Sequence, residues 1–271
     1  MDNFFFFIHV PKAAGITFRT IMKRNFRRQH RDFAADFYED AISAETIRFA
    51  LKQGSGLRAA SSHRFTADLP YDLQNLNIVG ISFLRNPVDR FISNYYYVKK
   101  LPIKNEITNS NSLEEFVASI EANPNTYKDQ NLQSKTLKLS YDSLAEKLQT
   151  GQLHLFPVDK YDHSLILLQK RYPLDFRDVS YKRRNVNKSK PDTTPEDLRA
   201  RIANLENIDL KLYELSKEYL DTSLKNDFQE GEIETYFKRN RRNCKIRSLF
   251  LDFCVTFSEK VHIGIRSITL P

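Results

Sequence analysis

Lys12, Arg85 and His63 are the residues whose types and settings point to chemistry on an anion. Lys12 stands in FFFFIHVPKAAGITF (Phe4–Phe18), just after an apolar run, Phe4 to Ile8, that reads as a buried strand stopped at Pro11. Ala13, Ala14 and Gly15 then turn the chain into a basic amphipathic segment beginning near Thr17. Strand, small-residue turn and helix aim backbone N–H groups and a helix N-terminus at a negative charge. Arg85 and Ser93 lie in LRNPVDRFISNYYYV (Leu84–Val98), the arginine at a strand end and the serine about two turns into the next helix. A guanidinium fork and a hydroxyl can thus meet one phosphate from different elements. The residues alone equally allow a plain tight turn at Lys12 and a local pair of Arg85 with Asp89. Among the six histidines, His63 is the one at a strand end in a polar loop between the two motifs. Imidazole suits proton abstraction near neutral pH. His9 and His154 fall in apolar strands and read as core histidines, whereas His163 reads as surface.

The elements that must position these residues alternate. Strands are expected over Phe4–Val10, Leu57–Ser61, Asn77–Leu84 and Leu153–Val158, each an apolar run bounded by turn residues. Helices are expected from about Thr17 to His30, Ala41 to Lys52, Pro87 to Lys100, Asn131 to Leu139, Tyr141 to Leu148 and Tyr161 to Arg171. Ser112 with Glu115 signals a further helix start. Pro195 sits just inside another, which runs to about Leu205, and a last helix is expected over Asp209–Leu220. Strands separated by helices imply right-handed crossovers and a parallel α/β sheet. In such a sheet ligands bind beyond the carboxyl ends of the strands, where Lys12, Ser62-His63 and Arg85 all fall.

The 271 residues suffice for one substantial core, and 41% hydrophobic with 28% charged residues is ordinary globular composition. Two cysteines, Cys244 and Cys254, give no disulfide framework. The short apolar start has no basic leader and no run nears the roughly 20 residues of a membrane span, so a cytoplasmic protein is expected. The net charge of +8 is concentrated: residues 1–31 hold seven Lys/Arg against Asp2, residues 182–190 five, and residues 238–247 six. Such clusters imply anionic partners. No GxxxxGK[ST] occurs, and Lys12 precedes Thr17 by five residues, so the loop holds its anion without the metal-ligating hydroxyl of a Walker motif.

The two blocks, FFFFIHVPKAAGITF and ISFLRNPVDRFISNYYY, resemble the Golgi-type carbohydrate sulfotransferases and their bacterial relatives. Those enzymes carry approximately HxPKxxGTTF and LRDPVxRFxSxY, and use 3′-phosphoadenosine 5′-phosphosulfate (PAPS). The resemblance extends to about residue 220 through YDHSLILLQKRY (Tyr161–Tyr172), RRNVN and IDLKLYELS. It implies a P-loop-NTPase-like sulfotransferase fold over residues 1–220, with 221–271 a basic and apolar extension of a helical C-terminal part. It assigns Lys12, Ala13, Ala14, Gly15, Ile16, Thr17 and Phe18 to the 5′-phosphosulfate, through the Ala14 to Phe18 amides and the Thr17 hydroxyl. Arg85 and Ser93 fall to the 3′-phosphate. Lys12 would neutralise the leaving phosphate, His63 would be the base, and no metal is implied. Arg183, Arg184 and Asn185 would close over the nucleotide, and Asn131 and Gln133 would read acceptor or cofactor. Ile16 replaces a common hydroxyl residue, and Asn86 a frequent aspartate. The implied acceptor is a hydroxyl on a glycan or glycolipid, perhaps facing the basic helix Arg19–Arg31.

Two other classes stay open on the residues. A P-loop-like nucleotide kinase would use the same loop, although the GK[ST] pair is missing. A non-enzymatic anion- or nucleic-acid-binding module would use the basic clusters, although no helix-turn-helix, zinc or RNA-recognition signature occurs. Nucleic acid is therefore not expected as a partner. The basic tail before SLFLDFCVTF either contacts anionic lipid at a membrane periphery or docks on the core.

Overall fold

The computed structural model describes residues 2–33, 42, 44–53, 56–68, 76–138, 140–182 and 193–249. One parallel sheet contains β1 (Asp2–Ile8), β2 (His30–Asp32), β3 (Ala59–Ser62), β4 (Leu76–Leu84) and β5 (Leu153–Pro157), in the order β2-β3-β1-β4-β5. Phe6 pairs with Ala60 of β3 and Gly80 of β4. Central β1 explains the phenylalanine run. Phe4, Phe6 and Ile8 enter the core on one face of the sheet, and Phe5 and Phe7 on the other. A strand covered on both faces has no polar side and so reads as continuous rather than alternating.

Helices α1 (Gly15–Phe26) and α2 (Ala44–Gln53) lie between β1 and β3. Between β4 and β5 come α3 (Pro87–Val98), α4 (Glu106–Asn109), α5 (Leu113–Ala122), α6 (Leu132–Leu137) and α7 (Tyr141–Gln149). After β5 follow α8 (Tyr161–Arg171), α9 (Glu196–Leu205), α10 (Asn207–Asp227) and α11 (232–249). This is the expected α/β architecture with a helical C-terminal part. The chain leaves β1 toward β3 and β2 but leaves β4 toward β5. The carboxyl ends of β1 and β4 therefore flank the point where the winding reverses, the usual ligand crevice of such sheets.

Several expectations need correction. The first helix begins at Gly15 and stops at Phe26, because Arg27 adopts φ 50 and breaks it. Residues 30–32, expected at its end, form edge strand β2, whose polar HRD carries no apolar alternation to reveal it. His9 lies just past β1 rather than within it. Pro195 is the N-cap of α9, not its first turn. The late helix is longer than expected: α10 runs through residue 220 to Asp227, and α11 follows. Leu220, Leu224 and Phe228 are buried in the same cluster as Phe5 and Phe7, with Ile233, Tyr236 and Phe237 of α11 packed against it. No described helix is long and apolar enough to cross a membrane.

Candidate active site

The loop after β1 is built under strain. Lys12 and Ala14 adopt φ 65 and 58, a left-handed conformation that costs a non-glycine residue about 1 kcal/mol each. Left-handed residues alternating with ordinary ones turn successive N–H groups to one side, making an anion-binding concavity. Thr17 and Phe18 donate their N–H groups to Ala14 O at 3.1 and 3.4 Å, whereas the amides of Ala13, Ala14, Gly15 and Ile16 meet no backbone carbonyl. The expected grip by the Thr17 and Phe18 amides is thus corrected: these serve the helix, and the Phe18 ring is buried in the core. Helix α1 has no side-chain cap and no acid in its first turn, so its positive end is uncompensated.

Gly15 takes an ordinary φ, and its reason is space. A Cβ there would lie 1.8 Å from the His9 ring. His9 stacks on His63 at 3.8 Å between ring centroids and on Phe7 at 5.3 Å. The His63 Nδ1 meets His9 O at 2.6 Å. A carbonyl only accepts, so Nδ1 carries the proton and a neutral His63 holds its lone pair on Nε2. Burial lowers the His63 pKa, opposed by this hydrogen bond and joined by the charge of Arg19. Deeper burial, with His63 and Arg19 alongside, takes His9 down to about 3. Both rings are neutral at pH 7.

Across the crevice, Arg85 reaches back to the loop, its Nη1 donating to Lys12 O at 3.4 Å. Lys12 and Arg85 are both half-buried. The Lys12 pKa is lowered by burial, then by Arg85 and Lys100, and that of Arg85 chiefly by burial. Two cations crowded out of water favour an anion between them. The alternative pair of Arg85 with Asp89 does not form; Asp89 instead takes Arg199 Nη1 at 3.2 Å. The Lys12 ammonium lies 4.0 Å from the Tyr97 ring centroid. Ser93, 9% exposed, is one turn earlier on that face of α3. Asn86, in place of aspartate, caps α3 by accepting Asp89 N–H at 3.2 Å.

The structure thus brings together Lys12, Ala13, Ala14, Gly15, Ile16, Arg85 and His63 at the ends of adjacent strands. Tyr97 and His9 join them unannounced by the sequence reading. Tyr97 could have been found from its i, i+4 spacing to Ser93, and His9 from its place directly before Val10-Pro11-Lys12. Along α1 the site continues into an open hollow of about 390 Å³ lined by Thr17, Thr20, Arg24, Tyr181, Lys182 and Arg247, with Ile21 at its base. Arg184, with Arg183 and Asn185, lies outside the described residues.

Asn131 and Gln133 do not face a ligand. The Gln133 amide is fully buried and brackets the Arg85 backbone, accepting Arg85 N–H at 2.9 Å and donating to Arg85 O at 3.0 Å. Asn131 Oδ1 accepts the Ile208 and Asp209 N–H groups, capping α10. Asp209 in turn accepts Gln133 and Ser134 N–H groups, capping α6. These amides hold Arg85 in place from behind. His154 is a core histidine as expected, bonded to Tyr219 and Tyr172 hydroxyls at 2.5 and 2.7 Å. His163 is half-buried against Phe237 of α11.

No curated protein matches the chain. The family model described as "Sulfotransferase family" matches residues 1–166, which takes in the strained loop, the His63 turn, Arg85 and Ser93. With a five-stranded parallel sheet placing that loop at its point of reversal, the chain belongs to the sulfotransferase family.

Proposed function

We propose that this sulfotransferase moves the sulfuryl group of PAPS to a hydroxyl of a carbohydrate or glycolipid. The observation that carries the reading is the meeting of Lys12 and Arg85 across the β1–β4 crevice, beside a strained loop with outward amides. In this reading the Ala13 to Ile16 amides and Lys12 hold the 5′-phosphosulfate, with the Thr17 hydroxyl beside them. Arg85 and Ser93 hold the 3′-phosphate, which no nucleotide triphosphate carries. His63 Nε2 takes the proton of the acceptor hydroxyl as its oxygen bonds to sulfur. The bond from sulfur to the 5′-phosphate oxygen breaks in line, and Lys12 balances the charge that develops there. A positioned base of this kind contributes about 10²–10⁴-fold.

Calorimetric titration with 3′,5′-ADP and 5′-AMP, beside labelled-PAPS transfer to a panel of glycans and glycolipids, tests the reading. The wild-type chain is expected to prefer 3′,5′-ADP, and Arg85→Ala to lose that preference by about 10-fold or more, as a charge-assisted contact worth ~1.5–3 kcal/mol requires. Equal binding of the two nucleotides by the wild-type chain would overturn the PAPS assignment.

A further inference from the structure

Helix α11 has one face engaged and one left over. Ile233, Tyr236 and Phe237 pack on the core, Asn240 is buried, and Cys244 Sγ accepts the Tyr181 N–H at 3.3 Å. Arg247 bonds Ser180 Oγ at 2.7 Å and pairs with Asp178. At 100° per residue the opposite face carries Lys238, Arg241, Arg242 and Lys245, all exposed. None of the four has a described carboxylate within ion-pair distance. Cations elsewhere on the helical surface are matched: Lys160 by Asp221, Arg171 by Asp227, Arg201 by Glu121. From Lys238 to Leu249 the helix contains no acid at all.

Such a row repels itself and adds nothing to the fold, so its use lies outside the chain. Ile246 and Leu249, 55% and 72% exposed, continue the same side of the helix. Exposed aliphatic side chains at the end of a cationic row have no purpose against a nucleic acid or soluble glycan. Against a bilayer they enter the acyl boundary while the cations meet headgroups.

We propose that α11 lies flat on an anionic lipid surface, its Lys238–Lys245 row on acidic headgroups and Ile246 and Leu249 inserted. Arg247, at the same end of the helix, lines the hollow beside Thr17. Docking therefore brings the hollow along α1 close to the lipid surface. The inference stands on charge and exposure and does not depend on the transfer reading, so either can fail alone.

Flotation of the full chain with phosphatidylcholine vesicles, with and without phosphatidylglycerol, tests it. Binding is expected only to the anionic vesicles and is weakened by salt. Combined Lys238→Ala, Arg241→Ala, Arg242→Ala and Lys245→Ala should weaken it by about fivefold per charge, on the order of several hundredfold together. The variant's circular dichroism and melting should stay unchanged, because the four side chains support nothing. Leu249→Asp should weaken vesicle binding while leaving retention on a heparin column unchanged. The proposal is overturned if neutral vesicles bind equally, if the fourfold variant binds like wild type, or if heparin or duplex DNA binds and anionic vesicles do not.

Discussion

Two polar clusters meet at the start of α3 and are built on opposite principles. Arg90 is sealed from solvent and donates to Glu206 Oε2 at 3.0 Å and Asp129 O at 3.2 Å. Around it Asn131, Gln133 and Asp209 cap helices and bracket backbone, so polar groups there answer other polar groups of the chain. Arg85, five residues earlier, shares its half-buried crevice with Lys12, beside a loop bent into the left-handed region and a helix end without a cap. The first cluster is closed and holds elements together. The second is open, strained and unbalanced in charge, and makes sense only with an anion in it. Residue type does not separate the two. What separates them is whether each group's partners lie inside the chain.

Glu206→Ala gives the largest expected effect. It leaves the Arg90 guanidinium buried without its counter-charge and removes the acceptor of Asn131 N–H. Breaking a buried ion pair from one side costs about 3–5 kcal/mol, readable as a lower urea midpoint. Lys12→Ala should do the reverse. Transfer rate falls by about 10²–10³-fold, the usual loss for a group facing developing charge, while the midpoint stays put or rises as the repulsion from Arg85 is relieved. A Lys12 variant that unfolds, or a Glu206 variant as stable as wild type, would erase the distinction between the clusters.

The open cluster was far more legible in the sequence than the closed one. Lys12, Arg85 and His63 each follow a strong apolar run, and the strand ends of a parallel sheet fix where such residues go. Asn131 and Gln133 looked like ligand readers for the same reason that they are not: an amide on a short helix declares no partner until the fold is known. Their partners, Arg85 and residues 205–209, are 46 to 78 positions away in the chain. Strand β2 was illegible because three polar edge residues carry no periodicity, and its pairing comes from β3 alone. His9 was read as core and is indeed buried, but its ring is also the surface on which His63 stacks.

That stack offers a finer cut through the open cluster. Gly15→Ala places a methyl group where the His9 ring now lies, so the ring must move and His63 with it. Overpacking of this kind costs about 1–3 kcal/mol. The expected result is a modest drop in melting temperature and a clear fall in kcat, with 3′,5′-ADP affinity changing less because Arg85 and Ser93 are untouched. A fall in nucleotide affinity with normal kcat would mean that the glycine serves the anion loop and not the histidines.

The smallest expected effect is on pH dependence, and it compares two histidines kept neutral by burial. His154 has its pKa lowered to about 3 chiefly by burial, with both ring nitrogens on tyrosine hydroxyls. Unfolded, it titrates near 6.5, so the unfolded chain binds the extra proton. The stability this neutral ring contributes is full above about pH 6.5 and is lost as pH falls toward 3. His63, also lowered by burial, acts on rate instead. Its neutral form persists below the usual histidine range, so kcat/KM should hold to pH 6.5 and decline only below it, while far-UV circular dichroism is still native at the inflexion. In Gly15→Ala, where the stack is disturbed, the inflexion should move up toward 6.5. An inflexion at or above 6.5 in the wild-type chain would show that His63 is not shielded, and the base would have to be sought elsewhere in the open cluster.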